Sequence, residues 1–229
     1  MLLPAVVILL GAALTYLWTP KAHTTASVQH FAAGIILAAL MLEVFPEIVS
    51  HRPSGRILLP VFAIGGLAMF GLKLLGIRIE RSTASRPPTH QLNYGFIATV
   101  FVDAAFDGLT IGAGFAAGHK VGFALAVGLS VEMLFLAWSL VTETLRGTRM
   151  VILASGISAT LFTAAVIGYH LLNGASPRTI AVALTFSAAA LIYLVTEELL
   201  MEAHEAEERS YSMLVLFGGF LTFWAILLI

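Results

Sequence analysis

The chain has 229 residues, 59% of them hydrophobic and 11% charged, against about 25% charged in an ordinary soluble domain. Its 12 basic and 13 acidic residues leave a net charge of −1 with no basic block, which excludes the usual electrostatic footprint of a nucleic-acid partner. No cysteine is present, so disulfides, thiolate metal sites and thiol catalysis are excluded as well.

These proportions belong to a chain whose solvent is lipid. A helix needs about 20 mainly apolar residues to cross the hydrocarbon. The apolar runs between polar, Gly and Pro breaks predict eight spans, at 3–18, 28–50, 57–77, 94–117, 119–142, 149–172, 179–201 and 212–229. The expected fold is all-α: one polytopic helical bundle over residues 1–229, with no appended soluble domain.

The first run, "MLLPAVVILLGAALTYLW", has no basic start, and "TPKAH" is a poor cleavage site, so it reads as a span and not as a leader. With eight spans both termini share a side. Seven Lys and Arg fall in one set of loops (Lys21, Arg78, Arg81, Arg86, Arg146, Arg149, Arg209) and four in the other (Arg52, Arg56, Lys120, Arg178). The positive-inside rule then puts both termini outside and the loop "RIERSTASRPPTHQ", residues 78–91, in the cytoplasm. The location expected is integral, in a bacterial-type inner (plasma) membrane.

Span two contains "FAAGIILAALMLEVFPE" (31–47) and span seven "FSAAALIYLVTEELLME" (186–202). Both begin with Phe, run through small residues and carry Glu at the thirteenth and seventeenth places, so Glu43 matches Glu198 and Glu47 matches Glu202. Spans two and seven are expected to cross in opposite directions, so the match reads as an inverted repeat, the alternative being a chance likeness between two helix ends rich in Ala, Leu and Glu. Spans 1–3 are related to spans 6–8 around spans 4 and 5, an arrangement common in secondary transporters.

Span four, "TVFVDAAFDGLTIGAGFAAG" (99–118), places Asp103 and Asp107 one helical turn apart on one face, near its middle. Span five carries Glu132 at a similar depth. A carboxylate at the bilayer centre costs at least a few kcal/mol, so it needs a partner or a watery cavity. No Lys, Arg or His is expected at that depth, which leaves a proton or a bound cation as the neutralising species. Carboxylates suit hard divalent ions, and a mixed set with Met or His also holds Zn²⁺. The duller alternative is protonated carboxyls hydrogen-bonded between helices. The small residues 108–118 are explained by close helix packing.

Glu43 and Glu198 read equally as pathway ligands or interfacial caps; Glu47, Glu197 and Glu202 read as solvated helix-end charges. His204, in "EAHEAEER" (202–209), stands among glutamates that would collect metal at the cytoplasmic exit, although a solvated turn explains that stretch as well. Met41 and Met133 offer thioether ligands but also fit plain packing. His30, His51, His90, His119 and His170 fall near span ends or in loops, where a single histidine usually has no metal role.

In these segments the chain resembles the Zrt/Irt-like (ZIP) metal transporters. The end of span two, "LEVFPE", and of span seven, "TEELLMEAHE", are similar to that family's Leu-Leu-Pro-Glu and Glu-Leu-Leu-Pro-Glu-Ala endings. The family's layout is eight spans, both termini outside, a variable cytoplasmic loop after span three and a metal site between spans four and five. Its span four reads His-Asn-x-Pro-Glu-Gly, against "DAAFDG" here. The resemblance implies that Asp103 and Asp107 are metal ligands in place of a histidine and a glutamate, with Ala104 losing the asparagine ligand.

For span five, a register starting at Glu132 ("EMLFLA") makes Glu132 and Met133 ligands, with Phe135 at the proline position and Leu136 replacing a glutamate; a register starting at Ser130 keeps no acidic ligand in place. Ala159 and Thr160 stand where span six of the family has Glu-Pro, so the resemblance implies at most one metal site. The expected metal set is Asp103, Asp107, Glu132 and Met133, with Glu43, Glu198 and Met41 along the path.

The function expected is transport of a divalent cation, whether Zn²⁺, Mn²⁺, Fe²⁺ or Cd²⁺, as cargo and not as a catalytic cofactor, with the family implying flow toward the cytoplasm. The partners expected are the lipid bilayer and the metal ion; a homodimer is left open. A proton-coupled carrier of a non-metal solute and a non-transporting metal sensor are the alternatives. An enzyme is not expected, because no nucleophile has a base beside it and no HExxH pattern occurs.

Overall fold

The computed structural model describes residues 1–15, 17–18, 21–51, 54–84, 94–140, 147–201 and 211–228; the side chains of 22, 79–84, 94–96 and 198 lie outside that description. In chain order the helices are α1 (Leu2–Leu14), α2 (Ala22–Ala39), α3 (Phe45–Ser50), α4 (Gly55–Ala84), α5 (Tyr94–Ala117), α6 (His119–Ser139), α7 (Thr148–Leu172), α8 (Pro177–Leu194) and α9 (Ser212–Leu228). A π-helical turn, Leu40–Val44, joins α2 to α3 without a break, and a second, Val195–Leu199, extends α8. The described residues contain no strand.

Six of these helical rods are long and apolar enough to cross a membrane; α1 and α9 are apolar but shorter. The protein is therefore a membrane-type helical bundle. Its outer surface agrees, since Leu59, Leu67, Leu171, Leu214 and Leu228 are all more than two-thirds exposed, a surface that suits hydrocarbon and not water.

Local chemistry sets the turns. Gly147 (φ 63°) precedes α7 and Gly174 (φ 80°) follows it, both in the left-handed region that a Cβ disfavours. Ser176 caps α8 by accepting a hydrogen bond from Thr179 N–H at 3.2 Å, and Pro177 follows at the first helical position, where its missing N–H costs nothing. A single residue, Gly118, separates α5 from α6, which forces these two into an antiparallel pair.

In lipid, apolar burial gives little force between helices, so close backbone approach through small residues holds the bundle. Helix α5 lies on α7, α9 on α2, α1 on α6 and α4 on α8, while α6 also borders α2 and α5. Gly108 and Gly112 of α5 sit against the Leu161 and Ala165 carbonyls of α7, and Gly168 of α7 sits against Leu109 of α5. Gly34 of α2 meets the backbone of Leu216 and Phe220, and Gly219 of α9 meets the Phe31 carbonyl. On the other side of the bundle, Gly65 of α4 faces the Phe186 carbonyl, with 2.8 Å between an added methyl and that oxygen. Polar contacts also join the helices: Ser158 Oγ–H of α7 donates to the Ala5 carbonyl of α1 (2.8 Å), and Thr110 Oγ1–H of α5 donates to Ser187 Oγ of α8 (3.2 Å).

Helix α1 ends at Leu14 and not at 18, and two boundaries differ by more. Helix α2 starts at Ala22 and not at 28, because "HTTASVQ" is polar yet poses no barrier to helix; only apolar content had marked the span. Helix α4 runs to Ala84, so the segment expected as a loop over 78–91 begins as helix, the run "RIERSTA" containing no Gly or Pro to stop it. Residues 85–91 of that segment lie outside the described residues.

Candidate metal centre

Asp103 and Asp107 stand on α5 one turn apart, and Glu132 stands on α6. One carboxylate oxygen from each lies within 4.8 Å of the others. Asp107 and Glu132 are 3% and 4% exposed; Asp103 is half-buried, and its Oδ1, itself buried, accepts no hydrogen bond among the described residues.

The packing just described positions this group. The tight α5–α6 connection brings the two helices together, with Gly114 against the backbone of Gly122, so a residue fifteen before Gly118 and one fourteen after it arrive side by side. Gly108, next in sequence to Asp107, locks the same turn of α5 onto α7. Thr110 ties the following turn to α8. Three acids are thus held on rigid helices and not on loops.

The electrostatics are unfavourable without a positive charge. Two ionised carboxylates at 4.8 Å, the upper limit of the separations here, would repel by roughly 3–4 kcal/mol at an effective dielectric near 20, and three such pairs would multiply the cost. A proton or a cation relieves it. The spacing accommodates an ion: oxygens bound to one divalent cation at about 2.0–2.6 Å are separated by at most roughly 4–5 Å. The donor set is all oxygen, which suits hard divalent ions.

Of the two registers considered for span five, the one beginning at Glu132 carries the acid that joins the cluster. Ser130, the start of the other, donates its hydroxyl back to the Ala126 carbonyl of its own helix. Met133 is fully buried one residue beyond Glu132. Glu43 is half-buried within the first π-helical turn. Glu198 occupies the fourth place of the second π-helical turn, as Glu43 does in the first; its side chain lies outside the described residues.

Met41 does not hold the place expected of a ligand. It is 57% exposed on the outer surface of the bundle, because the π-helical turn that starts at Leu40 carries this position outward while Leu40 and Val44 take the inward places. Glu47 pairs with His51 at 3.3 Å one turn along α3, in agreement with a helix-end charge. Glu197 is not simply solvated: its carboxylate forms an ion pair with Lys73 of α4. The lone Lys73 inside the apolar run "GLKLLG" was the available signal, since a cation there needs an acid nearby. Glu202, His204 and His90 lie outside the described residues. His30, read as a span-end residue, is instead the ninth residue of α2 and only 2% exposed.

Compared with known families and curated proteins, the chain matches no family model and no curated sequence.

Proposed function

We propose that this protein is a transporter of divalent metal cations that passes its cargo through the Asp103, Asp107 and Glu132 carboxylates by alternating access. The observation that carries this reading is the convergence of three acids from two helices on one point inside a lipid-facing bundle, within the separation one ion can bridge.

The transport architecture we propose is eight crossings with an inverted repeat, α1 to α4 matching α7 to α9 around α5 and α6. Several features support it. The two π-helical turns fall at the same places of the matched segments, with Glu43 and Glu198 in equivalent positions. The first residue of each segment, Phe31 and Phe186, presents its carbonyl to a glycine of the last helix of the opposite repeat, Gly219 and Gly65 respectively. The packing pairs also exchange under the repeat: α1 on α6 becomes α7 on α5, and α2 on α9 becomes α8 on α4. π-Helical turns gather at functional sites because they widen the helix and re-aim side chains. In this reading both termini face outside, the ZIP-like resemblance of span four applies, and the cargo moves toward the cytoplasm.

The test is metal-dependent stabilisation of the purified protein. Zn²⁺, Mn²⁺, Fe²⁺, Co²⁺ and Cd²⁺ are added in turn to the wild type and to the Asp103→Asn, Asp107→Asn double variant. The expected result is a raised melting temperature with at least one ion in the wild type and none in the variant. A folded wild type indifferent to every ion, with a proton gradient moving some other solute, would sink the proposal.

A further inference from the structure

A groove of about 430 Å³ lies where α4, α5, α7 and α8 meet, within the range of about 300–1,000 Å³ typical of small-molecule sites. Thr110 and Ser187, both buried, bond to each other across its floor. The walls are otherwise apolar, with Phe106 of α5 stacked on Phe186 of α8. At the rim Ile64 of α4, Leu109 of α5 and Leu171 of α7 are 56%, 38% and 73% exposed, so the groove opens sideways on the outer surface of the bundle. Asp103, Asp107 and Glu132 do not line it.

Any lipid tail can fill such a groove; polar groups placed to hold a head are what make it a binding site. Gly65 of α4 meets Phe186 and Ala189 of α8, and farther along the same two helices Lys73 pairs with Glu197. Both contacts advance together, so α4 and α8 run side by side in the same direction. Arg56 stands nine residues before Gly65, and Arg178 eight before Phe186. At about 1.5 Å per residue the two arginines share a level to within about 3 Å. They lie beyond the groove, Arg56 five residues before Val61 and Arg178 four before Val182, or about 6–8 Å along the axis. That step matches a headgroup layer, since about 30 Å of hydrocarbon becomes about 40–45 Å with its headgroups.

The two charges call for an anion. Both arginines are exposed, and among the described residues no acid forms an ion pair with either. Each stands in the first turn of its helix, where neither α4 nor α8 has an acid. A base there opposes the positive end of the helix dipole, and an anion relieves both. Helices in contact stand about 8–10 Å apart, a gap that two guanidinium forks close on one phosphate.

We propose that this groove binds one phospholipid, with an acyl chain lying between α4, α5, α7 and α8 and the phosphate held by Arg56 and Arg178. An anionic head such as that of phosphatidylglycerol is preferred over phosphatidylcholine, whose quaternary ammonium brings a positive charge toward the same arginines. The bound chain completes the packing of α4, which otherwise meets the bundle mainly through α8. The inference stands apart from the metal reading and does not depend on it.

The experiment is native mass spectrometry of the delipidated full chain, titrated in detergent with phosphatidylglycerol, phosphatidylcholine or glycerol 3-phosphate. The wild type should hold one phosphatidylglycerol, bind phosphatidylcholine more weakly and retain no glycerol 3-phosphate. The Arg56→Gln, Arg178→Gln double variant changes only exposed positions and should melt as the wild type does without lipid. It should bind phosphatidylglycerol at least roughly tenfold more weakly. Ala183→Phe, which puts a ring into the groove, should abolish tight binding with both arginines intact. Equal retention by the wild type and the arginine double variant would overturn the inference, as would tight binding of glycerol 3-phosphate alone. So would a wild-type dimer that Ala183→Phe dissociates, because a second copy would then occupy the groove.

Discussion

Replacing Gly108 with Ala tests whether the proposed metal centre is held by helix approach. The added methyl would point into the backbone of α7, with the Leu161 carbonyl nearest, Ala164 Cβ at 2.7 Å and Ala165 N at 3.0 Å. Ordinary carbon contacts sit at about 3.5 Å or more, so α5 must retreat from α7 by roughly 1 Å. Overpacking of this kind costs about 1–3 kcal/mol, toward the upper end here because backbone atoms have no rotamer in which to escape. Ala's better helix propensity returns about 1 kcal/mol, leaving a net loss of about 1–2 kcal/mol. Asp107 is the neighbouring residue and travels with the helix, while metal–oxygen distances tolerate only about 0.2 Å. Gly66→Ala on α4 is the control, because a methyl there meets nothing within 4 Å. That variant should gain roughly 0.5–1 kcal/mol from propensity alone. Reversible unfolding in detergent, followed by tryptophan fluorescence, reads stability, and ion-dependent melting reads affinity. Gly108→Ala should be less stable than Gly66→Ala by about 2–3 kcal/mol and bind metal at least tenfold more weakly. Equal stability with unchanged affinity would refute this account of how the site is positioned.

Three further outcomes are expected. Lowering the pH should weaken metal binding at Asp103, Asp107 and Glu132, because protons compete for the ligand oxygens; binding is fullest in the deprotonated state and is lost as pH falls, measurable as a shrinking ion-induced shift in melting temperature. Ser158→Ala should cost about 1 kcal/mol in the same unfolding assay, since it removes the buried bond from α7 to the Ala5 carbonyl of α1. Lys73→Met should change stability by no more than about 1 kcal/mol, because Lys73 is 40% exposed and Glu197 25%, and solvent screens most of their attraction; a loss of several kcal/mol would mean that the pair is far more desolvated than its exposure indicates.

The apolar runs specified nearly all the helices, because a polypeptide in hydrocarbon must satisfy its backbone internally and helix is the way a single segment does so. Spans four and five were legible almost to the residue: Tyr94 to Ala117 was read as it stands, and α6 begins at His119 as expected. The i,i+4 spacing of Asp103 and Asp107 was equally a property of the sequence, since any helix through them stacks the two carboxylates. Even the matched placement of Glu43 and Glu198 could be read before their π-helical turns were known.

Which face of each helix turns inward was a different matter. In a soluble protein the polar stripe marks the outside, but here lipid and core are both apolar and the periodicity that would separate them is nearly absent. Met41 could therefore be taken for an inward ligand when it faces out, and His30 for a peripheral residue when it is buried. Lys73 and Glu197 met only because α4 lies against α8. Glu132 reached the two aspartates because the α5–α6 turn is one residue long and small residues let α5 settle against its neighbours. The helices, and the acids each one carries, follow from the order of residues through local hydrogen bonding and hydrophobic length. The tertiary structure alone decided which of those acids share a point in space, because in lipid that choice is made by close packing between helices, which no single segment encodes.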